Sequence, residues 1–185
     1  MNYAEIKYYD IANGPGVRTS LFVSGCTHRC KGCFNAKAWD FTYGSKFGGE
    51  TAEKLIESCK PYYIAGLTLL GGEPLEPENQ RALLPFLRKF RSECPEKNVW
   101  CYSGYTYEEL TGEGVCRCEA TDELLELIDV LVDGEFVQEL YDISLRFRGS
   151  SNQRIIDMKK TRELGSVAIW RGDPIFERGE DICQG

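Results

Sequence analysis

No run of apolar residues in this chain of 185 approaches the ~18 that a membrane-spanning helix requires. The first residues, Met1-Asn2-Tyr3-Ala4-Glu5, are polar and acidic and lack the apolar segment of a secretory signal. Basic charge is scarce, with 22 lysines and arginines against 29 acidic residues and a net charge of −7. Those basic residues are dispersed, and none lies on a basic amphipathic helix. Nonspecific binding to nucleic acid or to an anionic membrane is therefore not expected. Histidine is nearly missing, and His28 is the single one. A mechanism built on a histidine acid–base pair has no residues to run on.

Cysteine is plentiful, with nine residues, an odd number. Without an export signal a disulfide framework is not expected. Clustered thiols then read as metal ligands or catalytic groups in a reducing cytoplasm. A content of 42% hydrophobic and 28% charged residues suits a soluble globular protein. The length suits one domain with a real core.

The densest cysteine cluster is Cys26-Thr27-His28-Arg29-Cys30-Lys31-Gly32-Cys33. It supplies three thiols at offsets of four and three, with no fourth nearby. A structural zinc site or a fully liganded iron–sulfur cluster takes four protein ligands. The spacing therefore leaves two readings open. One is a cubane cluster with an open iron, at which a substrate or cofactor binds. The other is a zinc site completed by His28 or a distant cysteine. Outside the zinc reading, His28 is a loop residue or a hydrogen-bond donor behind the ligands.

Short apolar runs place strands at Arg18–Ser24, Ile64–Leu70, Asn98–Tyr102 and Val130–Asp133. Between them fall helical patterns. One starts at a Thr51 cap and buries Ala52, Leu55, Ile56 and Cys59. Another spans Glu78–Glu93 with Leu83, Leu84, Leu87 and Phe90 on one face, and Pro85 inside it should kink it or cost about 3 kcal/mol. A third spans Asp122–Ile128. Strands alternating with helices imply an α/β fold around a parallel sheet. Such sheets carry their chemistry at the carboxyl ends of the strands. The cysteine loop, the turn Gly71-Gly72-Glu73-Pro74 and the run Asp133-Gly134-Glu135 all follow strands, so all three are expected on one rim. Asp133 there reads either as a carboxylate that binds ribose hydroxyls or as a cap or solvated turn.

The Cys-x3-Cys-x2-Cys spacing after the first strand resembles the radical S-adenosylmethionine superfamily. Most members carry an aromatic residue before the last cysteine, whereas this chain has Gly32, with Phe34 following. The runs Asn13-Gly14-Pro15-Gly16-Val17-Arg18-Thr19, Phe22 to Asn35, Gly71 to Leu75, Tyr102-Ser103-Gly104-Tyr105, Val130 to Gly134 and Arg148 to Arg154 occur in order. Together they resemble the family of activating proteins of anaerobic (class III) ribonucleoside-triphosphate reductases, over about residues 1–157.

The chain reads as a single domain over residues 1–170, followed by an acidic tail over 171–185, and the resemblance implies what that domain does. Its fold would be a partial, open (β/α) barrel of radical-SAM type with mainly parallel strands, since a full barrel needs ~200 residues or more. Cys26, Cys30 and Cys33 would hold a 4Fe–4S cluster whose fourth iron takes the amino and carboxylate groups of S-adenosylmethionine. Gly71, Gly72 and Glu73 would hold the methionyl amino group, with Gly32, Cys33, Phe34 and Asp133 also against the cofactor. An electron from a flavodoxin or ferredoxin would split the S–C5′ bond, and the resulting radical would take a hydrogen atom from a glycine of the partner reductase. An activator of another glycyl-radical enzyme and a simple iron–sulfur electron carrier are the alternatives.

Ser103 and Tyr105 are candidate cofactor contacts. The Arg148 to Arg154 run would bind a carboxylate, serve the partner interface, or form a polar loop before a strand. Cys116 and Cys118 lie in a Gly- and Glu-rich insertion and read as two reduced surface thiols. Cys59, Cys94, Cys101 and Cys183 read as core or incidental residues.

Overall fold

The computed structural model describes residues 1–172, so Cys183 and nearly all of the 171–185 tail lie outside the described residues. The chain forms strands β1 (Asn2–Asp10), β2 (Val17–Val23) and β3 (Ser45–Lys46), helix α1 (Gly49–Cys59), strand β4 (Ile64–Gly71) and helix α2 (Pro77–Glu93). Then come strand β5 (Asn98–Tyr102), helices α3 (Tyr107–Thr111) and α4 (Thr121–Glu126), strands β6 (Val130–Asp133) and β7 (Arg154–Asp157), and helix α5 (Met158–Leu164). One seven-stranded sheet has the order β3-β1-β2-β4-β5-β6-β7. The middle strands β2, β4, β5 and β6 are parallel. The pairings of β1 with β2 and β3, and of β6 with β7, are antiparallel. The sheet is therefore mixed, with its parallel character confined to the middle.

Side chains alternate across each strand, and the two faces are covered differently. Leu21, Val23, Leu67, Leu69, Val99, Cys101 and Leu131 join Leu55, Ile56, Leu83, Leu87, Phe90 and Leu124 in a core beneath the helices. The opposite face presents Trp100, Val130 and Val132, covered by Phe147, Ile155 and Trp170 from loops and β7. Arg18, fully buried, shares this face. Its Nε donates to Thr68 Oγ1 at 2.7 Å and its Nη2 to the Leu67 carbonyl at 2.8 Å. The guanidinium lies 5.6 Å from the Trp100 ring. Burial pulls its pKa down to about 10, so it stays charged at neutral pH.

Three details depart from the sequence pattern. Helix α1 starts one turn before the expected Thr51 cap, because the Ala52 amide already donates to the Gly48 carbonyl at 3.0 Å. Pro85 sits inside an unbroken α2. Its position is exposed, so the missing hydrogen bond falls on the solvent side, where water can serve the orphaned carbonyl. Strand β1 escaped the pattern because register shifts at Tyr3/Glu5 and Lys7/Asp10 break its alternation.

Candidate metal centre and cofactor cavity

The carboxyl ends of the parallel strands surround a cavity of about 440 Å³, within the ~300–1,000 Å³ of small-molecule sites. Cys26, Cys30, Cys33, Gly32, Phe34, Gly71, Gly72 and Glu73 all line it, together with His28, Ser103, Gly104 and Gly134. Asp133 does not. It is buried beneath the rim, where Oδ2 accepts from the Tyr107 amide at 2.8 Å and Arg154 Nε donates to Oδ1 at 3.0 Å. The second arm of Arg154 grips Glu108 at 2.6 Å. The observed contacts of Asp133 thus brace β6, β7 and α3.

Backbone contacts hold the cysteine loop against the glycine turn. Gly72 N–H donates to the Val23 carbonyl at 2.7 Å and Glu73 N–H to the Gly25 carbonyl at 2.8 Å. A Cβ on Gly72 would come within 2.6 Å of the Gly25 oxygen, so only glycine permits this approach. Asn79, from the first turn of α2, donates its side-chain amide to the carbonyls of Ser24 at 3.0 Å and Glu73 at 2.8 Å. Glu76 Oε1 accepts from the amide of Thr27 at 2.8 Å and from its hydroxyl at 2.5 Å. The stretch Glu73 to Asn79 is thus a clamp on the cysteine loop. The sequence offered a signal for it, three acidic residues and an amide packed into one turn and helix start. Of these, the strand-end pattern marks Glu73 alone.

Glu73 is 1% exposed. Its Oε1 accepts from the Leu75 amide at 2.8 Å and the Ser103 hydroxyl at 2.9 Å, and its Oε2 from the Gly104 amide at 2.6 Å. Ser103 is therefore a support for Glu73. Changing Glu73 to Gln puts an N–H₂ where a carboxylate accepts from an N–H. We expect E73Q to lose about 1–3 kcal/mol of stability, read by urea denaturation. Unchanged stability would remove Glu73 from this role.

His28 lies between the ligand candidates and is mostly buried. Its Nε2 is 3.3 Å from Glu73 Oε2 and its Nδ1 is 3.8 Å from Glu135 Oε1. The first contact is close but not aligned as a hydrogen bond. The ring packs 4.3 Å from Tyr105, and a Cβ on Gly104 would strike it at 2.6 Å. Burial works against charge on His28, but Glu73, Glu135 and Glu76 outweigh it and raise its pKa. It ties the loop to the ends of β4, β5 and β6, a larger part than a loop residue would have.

The thiols differ in environment. Burial, then the Glu73 charge, pushes Cys26 up to about 12. Burial, then the Glu135 charge, pushes Cys30 up to about 11. Metal ligation takes thiolates, so loading this site releases protons. Among the described residues, no three His, Cys, Asp or Glu side chains converge to hold a single metal ion. An iron–sulfur cluster asks instead for thiolates spread over several metal atoms. Three soft donors around one cavity fit that requirement.

The remaining motifs fall into place around the rim. In the Arg148 to Arg154 run, Gln153 Oε1 accepts from the Gly149 amide at 2.8 Å, and its Nε2 donates to the Gly134 carbonyl at 2.9 Å. Asn152 Nδ2 donates to the Glu135 carbonyl at 2.8 Å. The run thus shapes the turn after β6. Cys116 is buried, which corrects its reading as a surface thiol, while Cys118 is half-buried. Gln80 fixes their loop by donating to the Cys116 carbonyl at 2.7 Å. Cys59, Cys94 and Cys101 are core residues, as expected.

A mixed α/β sheet with a three-thiol cavity at the ends of its parallel strands defines a cluster-binding type of domain. Residues 12–156 match the family of 4Fe-4S single cluster domains. An anaerobic ribonucleoside-triphosphate reductase-activating protein of Pasteurella multocida is 45% identical over 157 residues, covering 84% of this chain and 96% of its own. The protein of the same name from Escherichia coli K12 is 43% identical, covering 83% and 96%. That of enterobacteria phage T4 is 37% identical, covering 84% and 93%. The chain belongs to the family of anaerobic ribonucleoside-triphosphate reductase-activating proteins.

Proposed function

We propose that the protein is a radical S-adenosylmethionine activase that installs a glycyl radical on an anaerobic ribonucleoside-triphosphate reductase. One observation carries the reading: the three cysteines and the Gly71–Glu73 turn line one cavity. The relatives' names supply the partner. They also favour this reductase over another glycyl-radical enzyme.

In this reading Cys26, Cys30 and Cys33 hold a 4Fe–4S cluster, and Gly32, Phe34, Gly71, Gly72 and Glu73 border S-adenosylmethionine. When bound, the cluster supplies the electron that splits S-adenosylmethionine and so furnishes the hydrogen-abstracting species. The chain itself orients and shields. Glu76, Asn79 and His28 fix the cysteine loop against the glycine turn. Glu73 is held in place by three donors, which set its carboxyl group beside the site of a cationic cofactor. Asp133 acts on the site through the turn it braces. The four parallel strands suit the open (β/α) barrel that the resemblance implies, and an open side would admit a glycine loop. A flavodoxin or ferredoxin is the reductant this reading requires. The setting is the cytoplasm, where free thiols persist. Among the described residues, no helix is long and apolar enough to cross a membrane.

The test is anaerobic release of 5′-deoxyadenosine, with and without the reductase, alongside electron paramagnetic resonance. Cleavage under dithionite is expected, and a protein radical only when the reductase is present. A chain that takes up iron but never cleaves S-adenosylmethionine would be an electron carrier.

A further inference from the structure

The cysteine loop differs in charge from the rest of the molecule. Residues 11–39 hold four basic residues and no acidic one, in a chain with 29 acidic and 22 basic residues. Arg18 is buried, so the exposed charge of this stretch is Arg29, Lys31 and Lys37. Lys31 pairs with Glu139 at 3.1 Å. Arg29 and Lys37 have no carboxylate within ion-pair distance among the described residues. On the helical side, by contrast, Lys54, Lys60, Arg81, Arg88 and Lys89 are each paired with a glutamate. Arg29 adopts a left-handed backbone at φ 54°, which an arginine takes only at a cost. None of the three exposed cations lines the cavity, so they do not serve its ligand. Yet in the chain Arg29 and Lys31 flank Cys30, and Lys31 and Lys37 flank Cys33, both thiols being partly exposed.

We propose that Arg29 and Lys37 form a docking surface for an acidic one-electron carrier protein, which delivers its electron across the outer side of the cysteine loop. The inference rests on the activase reading, because only that reading requires a reduced cluster. One electron leaves the carrier and enters the cluster, and no proton or group moves. Entry from the outer side leaves the cavity open to the reductase. Opposite charges steer encounter, and salt screens the attraction.

The test uses the anaerobically loaded protein, reduced flavodoxin as the probe, and the double variant R29E/K37E. Stopped-flow reduction of the wild-type cluster is expected to slow as salt rises. The variant should be slower at low salt by about tenfold or more, and its rate should no longer fall as salt rises. Its dithionite-driven cleavage and its affinity for the reductase should match wild type. Wild-type reduction rates in the variant would overturn the proposal. So would an equal loss with dithionite, or a loss of reductase affinity that leaves flavodoxin reduction intact. A wild-type chain that loads no cluster would instead overturn the activase reading, and this proposal with it.

Discussion

Replacing Cys30 by alanine is expected to lower S-adenosylmethionine cleavage by at least about 100-fold, judged from the 10–100-fold losses seen when only a ligand's support is removed. Cys30 is partly exposed and sits in a loop. Its removal should therefore change folding stability by less than about 0.5 kcal/mol. Iron uptake should fall together with cleavage. The contrasting change is Cys101 to alanine. Cys101 is fully buried in the core between sheet and helices, so its removal should cost about 1 kcal/mol or more as a small cavity. Iron uptake and cleavage should survive it. Retained cleavage in C30A, or iron loss in C101A, would show that the ligands had been misassigned. Iron analysis, product release and thermal melting of both variants decide the matter.

The contrast between these thiols was legible in the sequence, and the reason is local. Cys26, Cys30 and Cys33 fall within eight residues, so their meeting needs no knowledge of the fold. Cys101 alternates with Trp100 and Tyr102 in an apolar strand, and strand alternation assigns it to a face. Strands β2, β4, β5 and β6 were readable for the same reason, because each is a short apolar run ended by a turn. What escaped depends on long-range contact. Glu76 reaches Thr27 and Asn79 reaches Ser24 across about fifty positions of chain, and no periodicity encodes those pairings. Asp133 shows the limit from the other side. Its place at a strand end was read correctly, but a strand end has two sides. Arg154, twenty-one positions on, draws the carboxylate into the bracing network. The antiparallel edge strands were hidden likewise, β1 by its bulges and β3 by having only two residues.

Changing Gly71 to alanine should be strongly damaging at the rim of the cavity. Gly71 has φ +113°, a conformation that residues with a Cβ rarely adopt. An added Cβ would lie 2.7 Å from the Phe22 Cα and from the Val23 amide nitrogen and carbonyl oxygen. All three are backbone atoms of the neighbouring strand, so no side-chain rotation relieves the clash. The strained backbone and the overpacking each cost about 1–3 kcal/mol. A total near 4 kcal/mol lowers the melting temperature of a chain this size by roughly 8–16 °C. Relief must come from moving β4 away from β2 at the rim, where the Gly72 amide reaches the Val23 carbonyl. G71A should therefore also weaken S-adenosylmethionine binding in the fraction that folds, measured by calorimetry on the cluster-loaded protein. Gly165 provides the control. Its φ is +66° at the end of α5, but a Cβ there meets nothing within 4 Å. G165A should cost only about 1 kcal/mol of conformational strain and leave cofactor affinity untouched. If G71A and G165A were equally mild, the close approach of the two strand ends would not be what positions the glycine turn against the cysteine loop.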